Sequence, residues 1–197
     1  MPPVESTMLD LGTEAPDFNL ADWSGNREPG TPVSLDEFRT TKVLVVAFIC
    51  NHCPFVKHIM EEIGRLGRDC TAKGLGFVAI MPNDVQTHPD DAPERMHEVA
   101  QEHGFSFPYL YDADQSVAKA YRAACTPDFY VFDANQRLVY RGQLDASRPG
   151  NDEPVTGHDL RMAIEAAMTG QEQNPAQQPS TGCSIKWKPG NEPEYWG

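Results

Sequence analysis

Apolar and polar positions along the 197-residue chain follow patterns that predict strands and helices in turn. Residues 43–49 form an unbroken, mostly β-branched apolar run, which is typical of a central strand buried on both faces. Apolar residues then recur at steps of three and four, which predicts a helix that begins just before Pro54 and ends near Gly74. Residues 77–81 predict a second buried strand.

The rest of the chain continues this alternation and ends in a polar segment. Asp114 is the expected cap of one later helix. The other predicted elements are strands at 18–21, 33–35 and 107–111, helices at 93–104, 115–123 and 158–168, and a hairpin at 129–132 and 138–141. This order predicts an α/β fold with a mixed central sheet flanked by helices. We expect residues 1–170 to form the domain, with an N-terminal arm, and residues 171–197 to form a C-terminal tail packed on it or trailing from it.

Charge and hydropathy exclude several classes of function. The formal charge is −13 and the isoelectric point is about 4.7, so the chain has no electrostatic reason to bind nucleic acid or an anionic membrane. Its longest apolar run is eight residues, against roughly 20 needed to span a bilayer. The first residues have neither the basic nor the apolar region of a signal peptide, which predicts a cytoplasmic protein.

The five cysteines carry the candidate chemistry, because their odd, sparse count is unlike a disulfide scaffold. Two of them form the segment C-N-H-C at residues 50–53, where the buried strand meets the helix. The unpaired N–H groups and partial positive charge of a helix start stabilise a thiolate there. We expect Cys50, at the exposed mouth of the helix, to attack and Cys53 to resolve, with His52 and Lys57 adding positive charge.

Other interpretations of the cysteines stay open. Cys50 and Cys53 could be incidental buried thiols, or they could bind zinc or copper together with His52 or His58. No second ligand pair completes a structural metal site, so we predict no metal and no cofactor. Cys70 continues the apolar face of the helix and is expected in the core.

Two further groups of residues lie outside the C-N-H-C segment. Cys183 is a possible third redox cysteine on a flexible arm, or an incidental thiol in a tail that docks through nearby aromatic and aliphatic side chains. The acidic residues of segment 84–94 are expected to form a solvated face, and His88 is expected at the surface.

Four segments of the chain together resemble the thioredoxin fold, and within it the redoxin (AhpC/TSA, peroxiredoxin-like) branch. They are GTEAPDFNL at 12–20, VLVVAFICNHCPFVKH at 43–58, TPDFYVFD at 126–133 and LVYRG at 138–142. The runs NHCPFVKH, CTPDF, YRGQLDASRP and GCSIKWKPGNEP further resemble a group of bacterial redoxin-like proteins. The resemblance implies that Pro127 is cis beside the cysteine pair and that the backbone of Thr126 pairs with bound peptides. Cys125 would then lie within several ångströms of the pair.

The chain departs from both families that it resembles. Cys53 followed by Pro54 matches the peroxidatic position of peroxiredoxins, but Cys50 replaces the usual threonine and Pro127 occupies the position of the usual arginine. Leu44 stands where thioredoxins carry a buried acid. By resemblance to strongly oxidising relatives, His52 is expected to favour the thiolate and raise the reduction potential.

These observations predict a thiol–disulfide oxidoreductase that cycles Cys50 and Cys53 between dithiol and disulfide on protein or small-molecule substrates. The resemblance implies a thioredoxin or glutathione system as the source of electrons. The alternatives are a thiol peroxidase, in which Cys53 attacks and Cys50, Cys125 or Cys183 resolves, a metal-binding protein, and a scaffold without redox activity.

Overall fold

The computed structural model describes residues 3–196 as one mixed α/β arrangement. The strands are β1 (Val4–Glu5), β2 (Asn19–Asp22), β3 (Thr31–Ser34), β4 (Leu44–Phe48), β5 (Gly76–Met81), β6 (Tyr109–Tyr111), β7 (Cys125–Thr126), β8 (Asp128–Phe132), β9 (Leu138–Gly142) and β10 (Thr181–Ser184). The α-helices are α1 (Pro54–Ala72), α2 (Pro93–Glu102), α3 (Ser116–Ala120) and α4 (His158–Thr169). Short 3₁₀ helices cover Leu35–Phe38 and Pro89–Asp91.

The main sheet has seven strands in the order β3-β2-β6-β5-β4-β8-β9. The pairs β4–β5 and β5–β6 are parallel, and the remaining neighbours are antiparallel. The predicted mixed sheet is therefore confirmed, with β8 and β9 as the predicted hairpin.

Strand β4 lies between β5 and β8 in the interior of the main sheet, and all five of its residues are buried. Val45 and Ala47 pack in the core layer that contains α1, whereas Val46 and Phe48 pack on the opposite face of the sheet. This double burial explains the continuous apolar run in the sequence, because neither face of the strand meets water. It also fixes where the chain leaves the sheet and enters α1.

Helix α3 is shorter than the pattern predicted. Its N-cap residue is Gln115, in the left-handed conformation, but the carboxylate of the predicted cap, Asp114, accepts a hydrogen bond from the Ser116 N–H at 3.0 Å. The buried carboxylate of Asp112 accepts hydrogen bonds from the backbone N–H groups of Val117 and Ala118 and so takes the role of a helix cap. The backbone leaves the helical conformation at Arg122 (φ 52°), so the helix cannot extend to residue 123.

The C-terminal tail contains a strand that the sequence pattern did not predict. Strand β10 pairs antiparallel with β1 on one side and with β7 on the other, which makes a second, three-stranded sheet. Ile185 and Trp187 are buried in the core, whereas Trp196 is exposed. The tail thus packs on the domain through Ile185 and Trp187.

None of the helices described over residues 3–196 combines the length and apolar character needed to cross a membrane.

Candidate active site

The C-N-H-C segment lies where β4 ends and α1 begins. Cys53 is the N-cap residue of α1 and Pro54 occupies the first turn, as the helix rule for proline requires. Both cysteine side chains have no exposed surface. The prediction that Cys50 is exposed at the helix mouth is therefore wrong, because Cys50 packs within the core and against Thr126.

The peptide bond between Thr126 and Pro127 is cis, as the resemblance implied. Both sulfurs of the pair converge on Thr126. The Cys50 Sγ lies 3.3 Å from the Thr126 hydroxyl, and the Cys53 thiol donates to the Thr126 carbonyl oxygen at 3.3 Å. One residue beside the cis proline thus contacts both candidate redox sulfurs.

The pKa values of the two thiols shift in opposite directions. Hydrogen bonding with the thiols of Cys183 and Cys50 lowers the pKa of Cys53 well below its ordinary value, against the opposing effect of burial. Burial raises the pKa of Cys50, and its interactions with Cys53 and the negative charge of Asp91 add to that increase. The thiolate is thereby favoured on Cys53, at the N-terminus of α1.

Asp91 organises the backbone between the two cysteines, and sequence reasoning missed it. Its fully buried carboxylate accepts hydrogen bonds from the N–H groups of Asn51 (2.7 Å) and His52 (3.2 Å). The His52 Nδ1 lies 2.6 Å from the second carboxylate oxygen, and the Asn83 side-chain amide donates to the same oxygen at 2.8 Å. Although burial opposes it, these bonds lower the pKa of Asp91.

The expectation of a solvated acidic face is consequently wrong for two of its members, Asp84 and Asp91, which are buried. No local pattern distinguishes Asp91 from its exposed neighbour Asp90. The distinction arises only when the loop after β5 folds back onto the C-N-H-C segment.

The imidazole of His52 lies against that of His88, with ring centroids 4.8 Å apart and ring planes tilted by 30°. His88 is only partly buried there, which agrees with its expected surface position. Lys57 lies exposed on the first turn of α1. It is not among the groups that shift the pKa of either cysteine most strongly.

Cys125 is fully buried, and its thiol donates to the Pro127 carbonyl oxygen at 3.6 Å. Burial raises its pKa, and the charge of the neighbouring Asp128 adds to this. Asp128 is itself fully buried on β8, and burial raises its pKa to about 8. A buried acid thus lies near Cys125, although on a different strand from the Leu44 position.

Cys183 lies directly opposite Thr126 in the β10–β7 register. Its Sγ is 2.7 Å from that of Cys53, compared with about 2.05 Å in a disulfide. The pKa of Cys183 is raised, first by its hydrogen bond to Cys53 and then by burial. The structure therefore brings Cys183 to the pair, while Cys70 lies in the core on the apolar face of α1, as expected.

Cys50, His52 and Asp91 offer donor atoms within 4.8 Å of one another, which raises the question of a metal site. Both oxygens of Asp91 already accept hydrogen bonds from nitrogen donors, and one of those donors is His52 itself. The arrangement therefore fits a hydrogen-bonded carboxylate–imidazole pair better than a set of metal ligands.

The mixed sheet, the cis proline and the cysteine pair at the start of α1 define a thioredoxin-like protein. A solved Mycobacterium tuberculosis disulfide oxidoreductase homologous to E. coli DsbE has the same fold, with a TM-score of 0.57 at 17% identity over 76% of this chain and 95% of its own. The sequence profile of the AhpC/TSA family matches residues 11–141, and the chain belongs to that family.

Two other proteins have higher sequence identity to this chain. The solved structure of an uncharacterized conserved protein from Geobacillus kaustophilus is 53% identical, with a TM-score of 0.91 over 96% of this chain and 98% of its own. A Mycobacterium tuberculosis protein with a provisional peroxiredoxin name is 32% identical over 120 residues, which are 60% of this chain and 68% of that protein.

Proposed function

We propose that this protein is a thiol–disulfide oxidoreductase whose redox pair is Cys50 and Cys53. The observation that carries the proposal is the convergence of both sulfurs on Thr126, beside the cis Pro127. The membership in a redoxin family supports oxidoreductase chemistry in general. The opposite pKa shifts of the two thiols support an exchange reaction, which needs one thiolate and one reserve thiol.

Cys53 is the attacking residue in this proposal, in place of the Cys50 expected from the sequence. The Cys53 thiolate attacks one sulfur of a substrate disulfide, forms a mixed disulfide and releases the first substrate thiolate, which takes up a proton. Cys50 then loses its proton and attacks the Cys53 sulfur, which forms the Cys50–Cys53 disulfide and releases the second substrate thiol. The substrate gains two electrons and the protein dithiol loses two, and the reverse sequence oxidises a substrate dithiol.

Asp91 and His52 are positioning residues in the proposed reaction. Asp91 fixes the backbone of residues 51 and 52 through two N–H groups and holds the His52 ring by its Nδ1. The negative charge of Asp91 also opposes ionisation of Cys50, which keeps that thiol protonated until the mixed disulfide has formed.

The proposal includes the setting of the reaction. Protein or low-molecular-weight thiols and disulfides are the substrates, a thioredoxin or glutathione system regenerates the dithiol, and the protein acts in the cytoplasm. The net charge of −13 disfavours nucleic acid as a partner.

A thiol peroxidase is the second candidate, favoured by the position of Cys53 as the N-cap residue of α1 with a lowered pKa. One relative also carries a peroxiredoxin name. In that reaction the Cys53 thiolate would attack a hydroperoxide, giving a sulfenic acid and an alcohol or water. Against this candidate, Cys50 and Pro127 stand where the usual donors to the peroxide would be.

The test uses the Cys183→Ser variant, which leaves only the Cys50–Cys53 pair at the site, with Cys70→Ser as a cysteine-loss control on the same helix. Equilibration with glutathione buffers and thiol counting is expected to show a two-electron transition between about −120 and −270 mV. Absence of a Cys50–Cys53 disulfide at every poise would overturn the proposal. Stopped-flow oxidation by hydrogen peroxide separates the second candidate, which requires a rate well above that of a free cysteine.

A further inference from the structure

Strand β10 occupies the groove beside the cis proline as an extended peptide would. It runs antiparallel to β7, with Cys183 opposite Thr126 and Ser184 opposite Cys125. Strand addition of this kind is a common way for a protein to hold a peptide, because backbone hydrogen bonds align the two chains. Here the added strand comes from the same chain and brings a cysteine to within 2.7 Å of Cys53.

The residue before that cysteine is Gly182, and only glycine fits there. A Cβ at this position would lie 2.0 Å from the Thr126 carbonyl oxygen and 3.0 Å from the ring of Pro127. Gly182 has no positive φ that would require glycine for conformational reasons. Its lack of a side chain therefore serves the close approach of β10 to the Thr126–Pro127 backbone.

The strand is anchored on both sides of Cys183. Before it, the Ser180 hydroxyl donates to the Pro127 carbonyl oxygen at 2.7 Å. After it, the Ile185 N–H donates to the Ala124 carbonyl oxygen at 3.0 Å, and the Lys186 N–H donates to the Asn83 side-chain oxygen at 2.9 Å. These bonds hold the Cys183 sulfur at a fixed place instead of leaving it on a free tether.

We propose that β10 is an internal substrate strand and that Cys183 exchanges disulfides with Cys53, which makes Cys53 the central sulfur of three. This inference rests on the proposed function and deepens it. The Cys53 sulfur interacts with both Cys50 and Cys183, so either can become its partner. Intramolecular groups held in this way react as if at very high local concentration.

The exchange balances without any further reactant once a mixed disulfide exists. Cys183 loses its proton and attacks the Cys53 sulfur of the mixed disulfide, which forms Cys53–Cys183 and releases the substrate thiol. Cys50 then attacks Cys53, forms Cys50–Cys53 and releases the Cys183 thiolate, which takes the proton that Cys50 gave up. The second step moves a disulfide without net oxidation and frees β10 from its covalent attachment.

A glutathione titration of the Cys50→Ser variant tests the proposal. Glutathione disulfide accepts two electrons from Cys53 and Cys183 and becomes two glutathione molecules. Peptide mapping under non-reducing conditions is expected to find the Cys53–Cys183 disulfide. The effective concentration of Cys183, given by the square of the glutathione concentration divided by the glutathione disulfide concentration at the midpoint, is expected at least tenfold above the millimolar value of a flexible tether.

The Gly182→Ala substitution in the same background is expected to lower this effective concentration at least tenfold. The neighbouring Thr181→Ala, in the same strand, is the matched control and should change it less than twofold. If Gly182→Ala fails to fold by circular dichroism, Ser180→Ala loosens the same strand through the bond to Pro127 and should lower the value in the same direction.

The outcomes separate the two proposals. If the Cys183→Ser variant forms Cys50–Cys53 but the Cys50→Ser variant never forms Cys53–Cys183, the internal strand is rejected and the oxidoreductase stands. A millimolar effective concentration that Gly182→Ala leaves unchanged also rejects it. If Cys183→Ser never forms Cys50–Cys53 and Cys50→Ser never forms Cys53–Cys183, both proposals fail.

Discussion

At the scale of single residues, the environment separates two cysteines that are only three positions apart. Cys53 is the N-cap residue of α1 and interacts with the thiols of Cys183 and Cys50, whereas Cys50 faces a hydroxyl and the charge of a buried carboxylate. Groups from distant segments contribute to this difference, namely Cys183, Thr126 and Asp91. Asp91 is the most important of these groups for the local backbone.

Replacing Asp91 by Asn should destabilise the protein by about 2 kcal/mol, because a buried carboxylate that accepts charge-assisted bonds becomes a neutral amide. Since the pKa of Asp91 is lowered, its stabilising effect is present above its ordinary value of 3.8 and is lost as the pH falls below it. Urea unfolding at pH 6 and pH 3 should therefore show a smaller difference from wild type at pH 3. Asp90→Asn, at the exposed neighbouring position, should behave like wild type at both.

Asp128 should have the opposite pH dependence. Burial raises its pKa to about 8, so between about pH 4 and pH 8 the folded protein keeps a proton that the unfolded chain has lost. Stability contributed by this group therefore falls as pH rises through that window. The unfolding free energy of Asp128→Asn minus that of wild type, measured by urea denaturation, should increase steadily from pH 4.5 to pH 7.5. A parallel pair of pH curves would contradict this, and exposed Asp152→Asn is the control.

At the scale of elements, α1 joins the site to the rest of the fold by packing very closely. A Cβ at Gly67 would lie 2.0 Å from the ring of Phe107, and one at Gly64 would lie 2.5 Å from the His103 carbonyl oxygen. The glycines of this helix thus permit contact with the segment between α2 and β6. Their helix propensity is poor, and the contact outweighs it.

Gly67→Ala should accordingly destabilise the protein by about 1–3 kcal/mol, the usual cost of overpacking, although the same change in an open helix would stabilise it by nearly 1 kcal/mol. Thermal and urea unfolding measure the difference. Glu61→Ala, at an exposed position of α1, should leave stability within about 0.5 kcal/mol. A stabilised Gly67→Ala variant would show that the Phe107 contact is dispensable.

The elements differ in how far the sequence predicts them, for identifiable physical reasons. Strand β4, helix α1 and the β8–β9 hairpin have strong local hydrophobic patterns and clear start and stop residues, and they form where predicted. Strand β10 has no such signal, because its stability comes from pairing with β1 and β7, which are more than fifty residues away in sequence. The site divides in the same way: the C-N-H-C segment and Pro127 are visible in the sequence, whereas Asp91 depends on tertiary contacts.

At the scale of the whole molecule, β1 and the tail contribute to the sheets and to the core of the domain. Strand β10 lies between β1 and β7, and the residues that follow it enter the core beneath the main sheet. Gln115, fully buried in α3's cap position, donates to the Lys186 carbonyl oxygen and accepts from the Lys188 N–H. We therefore expect the tail to unfold together with the domain.

Two tryptophans of the tail test this statement directly. Trp187→Ala should cost about 3 kcal/mol of unfolding free energy, because the side chain is 8% exposed and packs in the core. Trp196→Ala, at a side chain that is 43% exposed, should change it by less than about 0.5 kcal/mol. If Trp187→Ala changes the unfolding free energy as little as Trp196→Ala does, the tail unfolds independently of the domain.

The side chain of Asn83 has a consequence for how the parts of the molecule communicate. Its amide nitrogen holds the carboxylate of Asp91 and its oxygen holds the backbone of Lys186, so one planar group joins the His52 environment to the strand after Cys183. Two equilibria that share such a bridge are thermodynamically linked, and the coupling free energy is the same in both directions. If reorientation of the imidazole changes the affinity of the strand for its groove, departure of the strand must change the free energy of that reorientation by the same amount.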